Sequence, residues 1–304
     1  MARQTTSSKS LRPLKGVRIL SLALNLPGPA AMMRLCAMGA RCTKLEPPAP
    51  ASMPAGTPGD PMGMYNLLAY NTMHQGIRVM QADLKTAKGQ VALHQALART
   101  DVLLTSFRPS ALDKLGLGWV GLRKRYPTLS LVAIVGAPGA RAEEPGHDLT
   151  YMAEAGLVIG MDTPPSLYAD MGGSLMASEA VLQVQMQRLA SGKGARMEVA
   201  LSEAAHYLAL PRNWGLTTAK GSVGGSHAGY RVYACKDGRV AFAALEPHFA
   251  QRLMLAVGLS QSDVRTMSSP QTHAAVAAFA KDKTRAQLDA LSVAKDIPLY
   301  TLKG

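Results

Sequence analysis

The segment Val17–Leu24 (VRILSLAL) is short, apolar and β-branched at its start, and Asn25-Leu26-Pro27-Gly28-Pro29 breaks it. A run of that length between turn residues reads as a buried strand. Ala30–Met38 then reads as a helix ended by Gly39. Cys42–Leu45 is a second short strand, closed by Glu46-Pro47-Pro48. Strand, tight Pro/Gly turn, helix, strand is one βαβ unit. Two strands joined through a helix run parallel, and parallel strands need cover on both faces.

The pattern recurs in type. After a Pro-rich loop over residues 47–62, Val79–Leu84 is a candidate strand. Thr86–Thr100 is a helix with apolar Val91, Leu93, Ala96 and Leu97. Asp101–Phe107 is a strand, short helices fill 109–126, and Leu129–Val135 is another buried strand. The expected fold is α/β, with a Rossmann-like large domain built on a parallel sheet. In such sheets ligands bind beyond the carboxyl ends of the strands, so the loops after residues 24, 46, 107 and 136 face the site.

From Asp148 the character changes. Asp148–Gly160 and Gly173–Leu189 read as helices, Arg196–Leu201 as an extended segment, and Ser202 as the cap of a helix through Leu210. Gly221–Gly229 looks like a linker. Tyr230–Ala234 and Arg239–Leu245 flank Lys236-Asp237-Gly238, a hairpin signal, and helices follow to Thr301. The expected domains are a disordered basic tail (1–15), a large domain (16–200), a helical linker (201–229) and a smaller α+β domain (230–304).

Composition narrows the function classes. The 304 residues are 47% apolar and carry a net charge of +13. A chain this long and apolar buries a core without staples. No stretch approaches the roughly 20 apolar residues of a membrane span. The positive balance invites anionic partners, but zinc spacings, a basic heptad region and aromatic–basic alternation are missing, which argues against nucleic acid. Five positives (Arg3, Lys9, Arg12, Lys15, Arg18) and no acid occupy the first 18 residues. Three cysteines, Cys36, Cys42 and Cys235, fit no disulfide framework and imply a reducing, cytoplasmic setting.

Few residues suggest chemistry by position alone. His147 and Asp148 follow a Pro-Gly turn and open a helix. A histidine there has its cationic form disfavoured and can act as a base. Asp148 reads equally as an N-cap. Asp170 precedes Met171-Gly172-Gly173, again as cap or acid. Glu246 ends the hairpin before Pro247-His248. Met152, Met161, Met171 and Met176 lie near these acids in sequence, as core filler or as site lining.

Several words of the sequence resemble the family III CoA-transferases. They are residues 13–22 (PLKGVRILSL), Pro27-Gly28-Pro29, Gly39-Ala40, Lys44–Pro47 (KLEP), Ala82–Lys85 (ADLK), Asp101–Leu104 (DVLL), Arg108-Pro109 and Lys114–Gly118 (KLGLG). Gly192–Gly194 and Ser202-Glu203 continue the series. Within that family, Gly146–Tyr151 (GHDLTY) resembles the alpha-methylacyl-CoA racemase motif, Ala169–Gly173 (ADMGG) its second catalytic aspartate motif, and Leu245–Phe249 (LEPHF) the segment of its auxiliary glutamate.

The resemblance implies an interlocked homodimer acting on an acyl-CoA substrate, with no cofactor beyond coenzyme A itself. His147 and Asp170 would be the proton carriers and Glu246 their support. Pro27, Lys44, Arg78 and Arg108 would bind CoA. The chemistry fits the residue types, because inverting a carbon next to a thioester takes a base on one face and an acid on the other. The helix start at His147/Asp148 would supply N–H groups to the enolate oxygen, and the methionines would line the path of the acyl group. Two other functions remain open. One is CoA transfer between carboxylic acids through an Asp148 anhydride; the other is a non-catalytic CoA-binding homologue. The departures from the family are short stretches at 137–145 and 161–169, few basic residues over 71–78, no basic residue just after Glu46, and an end near Leu302 where many members run on.

Overall fold

Six short segments of the first two thirds of the chain pair side by side into one parallel sheet. A computed structural model describes residues 11–54 and 56–304 and divides the chain into two units, Met1–Ala209 and Leu210–Gly304. In chain order the first unit contains β1 (Arg18–Ser21), α1 (Pro27–Ala37), β2 (Arg41–Glu46), α2 (Pro61–Tyr65), α3 (Leu67–Met73), β3 (Arg78–Gln81), α4 (Ala87–Leu97), β4 (Val102–Thr105), α5 (Pro109–Lys114), α6 (Trp119–Arg125), β5 (Ser130–Val135), α7 (Asp148–Glu154), α8 (Tyr168–Ser191) and β6 (Arg196–Ala200). Helix α9 (Leu201–Asn213) runs across the division.

The strand order is β3-β2-β1-β4-β5-β6, all parallel. This is the doubly wound arrangement expected from the sequence. Its direction reverses between β1 and β4, which opens a crevice at their carboxyl ends. Side chains alternate across the sheet. Ile19, Leu104, Val132 and Ile134 pack with Met32, Leu35, Val181 and Val184 on one face, under α1 and α8. Leu20, Leu103 and Leu131 pack with Leu93, Leu97, Leu112 and Leu122 on the other, under α4, α5 and α6. Each of β4 and β5 is buried along its whole length, hence the continuous apolar runs.

Several elements differ from the sequence expectation. The strands are shorter than the apolar runs, because those runs continue into buried turns at Leu22 and Ala23. Arg196–Ala200 is a full sheet strand, and α9 starts at Leu201, so Ser202 lies inside its first turn with its N–H on Gly136 O (2.9 Å). Helix α7 stops at Glu154 rather than Gly160. Helix α8 begins at Tyr168 rather than Gly173, which puts Asp170 within its first turn instead of at its cap. Gly173 sits there because a Cβ would lie 2.2 Å from Leu201 Cδ2, where α8 crosses the start of α9. The expected basic tail lies outside the described residues as far as residue 10. Beyond it, Leu14 is buried, with its N–H on Met38 O (3.1 Å).

The second unit holds an antiparallel sheet of β7 (Tyr230–Cys235), β8 (Gly238–Ala243) and β9 (Leu299–Lys303) in that order. The hairpin falls where the Asp-Gly signal puts it. The third strand takes the place of the last stretch of expected helix. Helices α10 (Pro247–Val257), α11 (Val264–Met267), α12 (Pro270–Lys281) and α13 (Arg285–Lys295) complete the unit. Leu253, Met254, Val276, Ala280 and Leu288 close over Val240 and Phe242.

One carboxylate ties the middle of the large sheet together. Asp101, at the start of β4, accepts the Arg18 backbone N–H (2.8 Å) and two guanidinium N–H groups (3.1 and 2.8 Å), and pairs with Arg188 of α8 at 2.7 Å. Burial pushes its pKa up, but the bonds from Arg18 and Arg188 outweigh that and hold it at about 2. A carboxyl depressed in the fold stabilises above its unfolded pKa and loses that effect as pH falls through the folded value. Asp101→Asn is expected to lower urea-unfolding stability by about 1–3 kcal/mol at pH 7. The gap to wild type should narrow below about pH 4 and close near pH 2. Equal midpoints at pH 7 would remove Asp101 from this role.

Candidate active site

The crevice between β1 and β4 is built by turns that the sequence sets individually. Leaving β1, Leu24 N–H donates to Ser106 Oγ across the crevice (3.2 Å). Asn25 adopts the left-handed region at φ 61°, which Asn tolerates better than most side chains. Its N–H is held by the Asp60 carboxylate (3.1 and 3.2 Å), and its Oδ1 accepts Tyr65 O–H (3.2 Å). Pro27 then opens α1, where its missing N–H costs nothing.

Asp60 is itself fixed from below. It is fully buried, receives Met62 N–H (2.9 Å) and is paired with Lys44. Lys44 is 1% exposed, lies 3.5 Å from Glu46 and donates to His74 Nε2 (3.0 Å). His74 is left to donate Nδ1–H to Tyr70 O (2.6 Å). Burial first and the Lys44 charge second lower its pKa, so it stays neutral. Tyr70 O–H completes the group on Glu46 (3.1 Å). Lys44, expected to bind CoA, is therefore enclosed behind the β1–α1 turn and holds it in place.

Beyond the carboxyl ends of β1, β4 and β5 lies a cleft of about 170 Å³. Asn25 and Pro27 line it from the first turn, Phe107 and Arg108 from the end of β4, and Gly136 from the end of β5. Gly146, His147 and Tyr151 enter from α7 and its approach, and Asp170 from α8. Four of the expected residues, Pro27, Arg108, His147 and Asp170, are thus brought together. Arg108 and His147 are exposed. The His147 N–H is held by Thr150 Oγ1 at 3.0 Å.

Asp148 is not on the cleft wall. It is 5% exposed, and its Oδ1 accepts the Asp170 N–H at 3.0 Å. Leu167, the residue before α8, gives no side-chain cap. Asp148 supplies one from a neighbouring helix, satisfying a donor that would otherwise be orphaned. The Asp170 carboxyl is pushed up to about 7, by burial first and by the Asp148 charge second. At neutral pH it is divided between acid and carboxylate, as a proton carrier requires.

The Gly-His-Asp-x-x-Tyr spacing has a steric cause. Tyr151 is 7% exposed, and its ring fills the space beside two glycines. A Cβ on Gly136 would lie 2.2 Å from Tyr151 Oη, and one on Gly146 2.5 Å from it. Burial first and the Asp170 charge second raise the Tyr151 pKa, so the phenol remains a donor in the cleft. The motif contains Tyr151, but its spacing alone assigns the residue no task.

The other expected residues lie elsewhere. Arg78 is the first residue of β3, at the amino edge of a parallel sheet, opposite the cleft. Glu246 stands in the second unit at the N-cap of α10, exposed, with its carbonyl accepting Ala250 N–H (2.9 Å) and its side chain making no capping bond. Among the described residues, no methionine lines the cleft. Met152 is core, Met161 is fully exposed, and Met176 belongs to a groove along α8. Among the described residues no cluster of His, Cys, Asp or Glu could hold a metal ion.

Comparison with known proteins agrees with this architecture. The chain is 29% identical over 274 residues to the alpha-methylacyl-CoA racemase of Mus musculus, covering 84% of this chain and 68% of that one. It is 31% identical over 211 residues to a probable fatty acyl-CoA transferase of Mycobacterium tuberculosis (66% and 53%). It is 29% identical over 204 residues to the cinnamoyl-CoA:phenyllactate CoA-transferase of Clostridium sporogenes (63% and 50%). The chain thus spans about half to two thirds of the length of these relatives. The fold matches the crystal structure of a hypothetical protein from Mycobacterium tuberculosis with a TM-score of 0.78 at 24% identity, covering 97% of this chain and 86% of that one. A CAIB/BAIF family protein from Brucella suis follows at 0.75 and 22% (97% and 85%). With the family model of CoA-transferase family III matching residues 14–303, nearly the whole of both units, the chain belongs to that family.

Proposed function

We propose that this protein is an acyl-CoA racemase or epimerase, exchanging the proton on the carbon next to a CoA thioester. The observation that carries this reading is the pairing of His147 with Asp170 on one cleft, the carboxyl titrating near 7. One group takes the α-proton, an enolate forms, and the other returns a proton to the opposite face. Tyr151 O–H and the Arg108 guanidinium offer positive charge to the enolate oxygen. The cleft's 170 Å³ suits the reacting end of the substrate rather than its nucleotide. The similarity to the mouse racemase over 84% of the chain supports the same reading.

CoA transfer is the second reading, favoured by the transferases among the relatives. Under that reading we propose Asp170, not the Asp148 first expected, as its nucleophile. Asp170 faces the cleft, whereas Asp148 is buried against the Asp170 N–H, so an anhydride would form on Asp170. In either reading CoA is substrate and no further cofactor takes part.

The assembly we propose is a homodimer. A groove of about 640 Å³ along α8 and α9, lined by Leu175, Met176, Leu182, Tyr207 and Leu208, leaves Leu175 50% and Tyr207 70% exposed. Exposed apolar surface of this kind marks an interface. Light scattering at micromolar concentration should give twice the chain mass, and a monomer there would overturn this. The setting we propose is cytoplasmic, supported by three unpaired thiols, Cys36, Cys42 and Cys235. No helix among the described residues is long and apolar enough to cross a membrane.

Incubation with branched acyl-CoAs in D₂O, read by mass spectrometry, should show α-deuterium without an acceptor acid. Deuterium uptake that is absent, with thioester transfer once a carboxylate is added, would replace this reading by the second. His147→Ala and Asp170→Asn should each slow exchange by ~10²–10⁴-fold. Under the transfer reading, Asp170→Asn abolishes turnover and His147→Ala does not.

The pH dependence follows from Asp170. Exchange in the direction that uses it as base should rise with pH and level off above about 7. Asp148→Asn keeps an acceptor for the Asp170 N–H but removes the neighbouring charge, so this limb should move to lower pH. A carboxyl raised in the fold stabilises below its unfolded pKa, and that effect is lost as pH rises through about 7. Asp170→Asn should therefore unfold at higher denaturant than wild type at pH 8 and 9. A limb unmoved by Asp148→Asn would remove Asp148 from this role.

A further inference from the structure

We propose a second ligand site, at the amino edge of the large sheet, that binds the diphosphate of a nucleotide. Strands β1, β2 and β3 begin with Arg18, Arg41 and Arg78. The parallel register sets Arg18 opposite Arg41, and Thr43 opposite Arg78. Residues two apart share a face, so all three arginines project on one side of the sheet with Leu20, Thr43 and Met80. Arg99 and Thr100 reach the same place from the end of α4. Together these residues enclose a cleft of about 570 Å³, with Leu20, Met80 and Ala96 on its walls.

Four guanidiniums in one cleft repel one another, and the fold answers only one of them. Arg18 is paired with Asp101. Arg41, Arg78 and Arg99 are exposed and have no ion pair among the described residues. Residues 1–10 add no relief, because they contain no Asp or Glu. Nothing in the packing of a parallel sheet calls for arginine at the first position of three adjacent strands, and like charges opposite each other destabilise.

An anion with several oxygens removes the conflict. Guanidinium forks bond phosphate oxygens in pairs, the Thr43 and Thr100 hydroxyls add donors, and the apolar wall offers a surface for a base. A concave site of this volume admits a nucleotide, while a duplex or a bilayer calls for an open face. The ligand is a nucleoside diphosphate group, either free or as the nucleotide end of CoA. The cleft lies a strand length from the carboxyl-end site, roughly 13–20 Å at the rise of a four- to six-residue strand.

Calorimetric titration of the full-length protein with ADP tests this, with CoA added as competitor. Wild type should bind ADP with a salt-sensitive affinity. Arg41→Ala/Arg78→Ala should weaken it by about tenfold or more, as expected for loss of charge-assisted bonds, and Arg99→Ala should weaken it further. Lys124→Ala, an exposed cation of α6 that lines neither cleft, should leave ADP affinity unchanged. All these side chains are exposed, and thermal unfolding of each variant at the wild-type midpoint confirms that the fold is kept. Competition by CoA that disappears in the double variant assigns the site to the nucleotide end of CoA. ADP binding without such competition assigns it to a free nucleotide. No heat with millimolar ADP, or equal affinity in wild type and double variant, overturns the proposal.

Discussion

Lys44 is the charge around which the first half of the molecule is arranged. An ammonium at 1% exposure has to be answered by the fold itself, and Asp60, Glu46 and the neutral ring of His74 do so. Such a buried ion group adds little net stability. Its effect is on conformation, because each partner comes from a different segment. Asp60 closes the Pro-rich loop, His74 and Tyr70 bring in α3, and Glu46 ends β2 while accepting Gly59 N–H at 2.9 Å. Through Asp60 the arrangement reaches Asn25 and fixes a left-handed residue at the mouth of the crevice. The wall of the cleft is therefore set from the interior.

At the cleft itself the two aspartates have divided tasks. Asp148 is buried and fixed by a backbone donor; Asp170 lines the cleft. Burial first and the neighbouring Asp148 charge second make Asp170 harder to ionise, which places it near neutrality. A capping contact between two helices is thus also a setting of acidity. The same contact joins α7 and α8 beside the packing of Tyr151 and Met152 with Ala169, so bond and packing together orient the start of α7 against Asp170 in α8.

Much of the large unit was legible because β4 and β5 are buried throughout, and continuous apolar runs between Pro and Gly leave few alternatives. What failed did so for local reasons. Leu299–Lys303 (LYTLK) is half exposed and follows four helices, so its pairing to β8 depends on a partner sixty residues earlier. Gly173 reads as the start of a helix, yet α8 begins at Tyr168 and carries Gly173 inside it, against Leu201. Lys44 and Arg78 were placed by resemblance. Only the register shows one turned into the interior and the other at the opposite edge of the sheet. His147 and Asp170 were legible from their motifs, whereas the burial of Asp148 depends on a contact across 22 residues.

The wedge of Tyr151 between Gly136 and Gly146 couples three positions by volume. A side chain cannot appear at 136 or 146 while the ring stays, and the ring cannot shrink without opening space beside Asp170. Size at the reacting end is accordingly a shared quantity, exchanged between one aromatic position and two glycines. Under the proposed reaction, a change in the size of acyl group accepted would call for these three positions to change as a set.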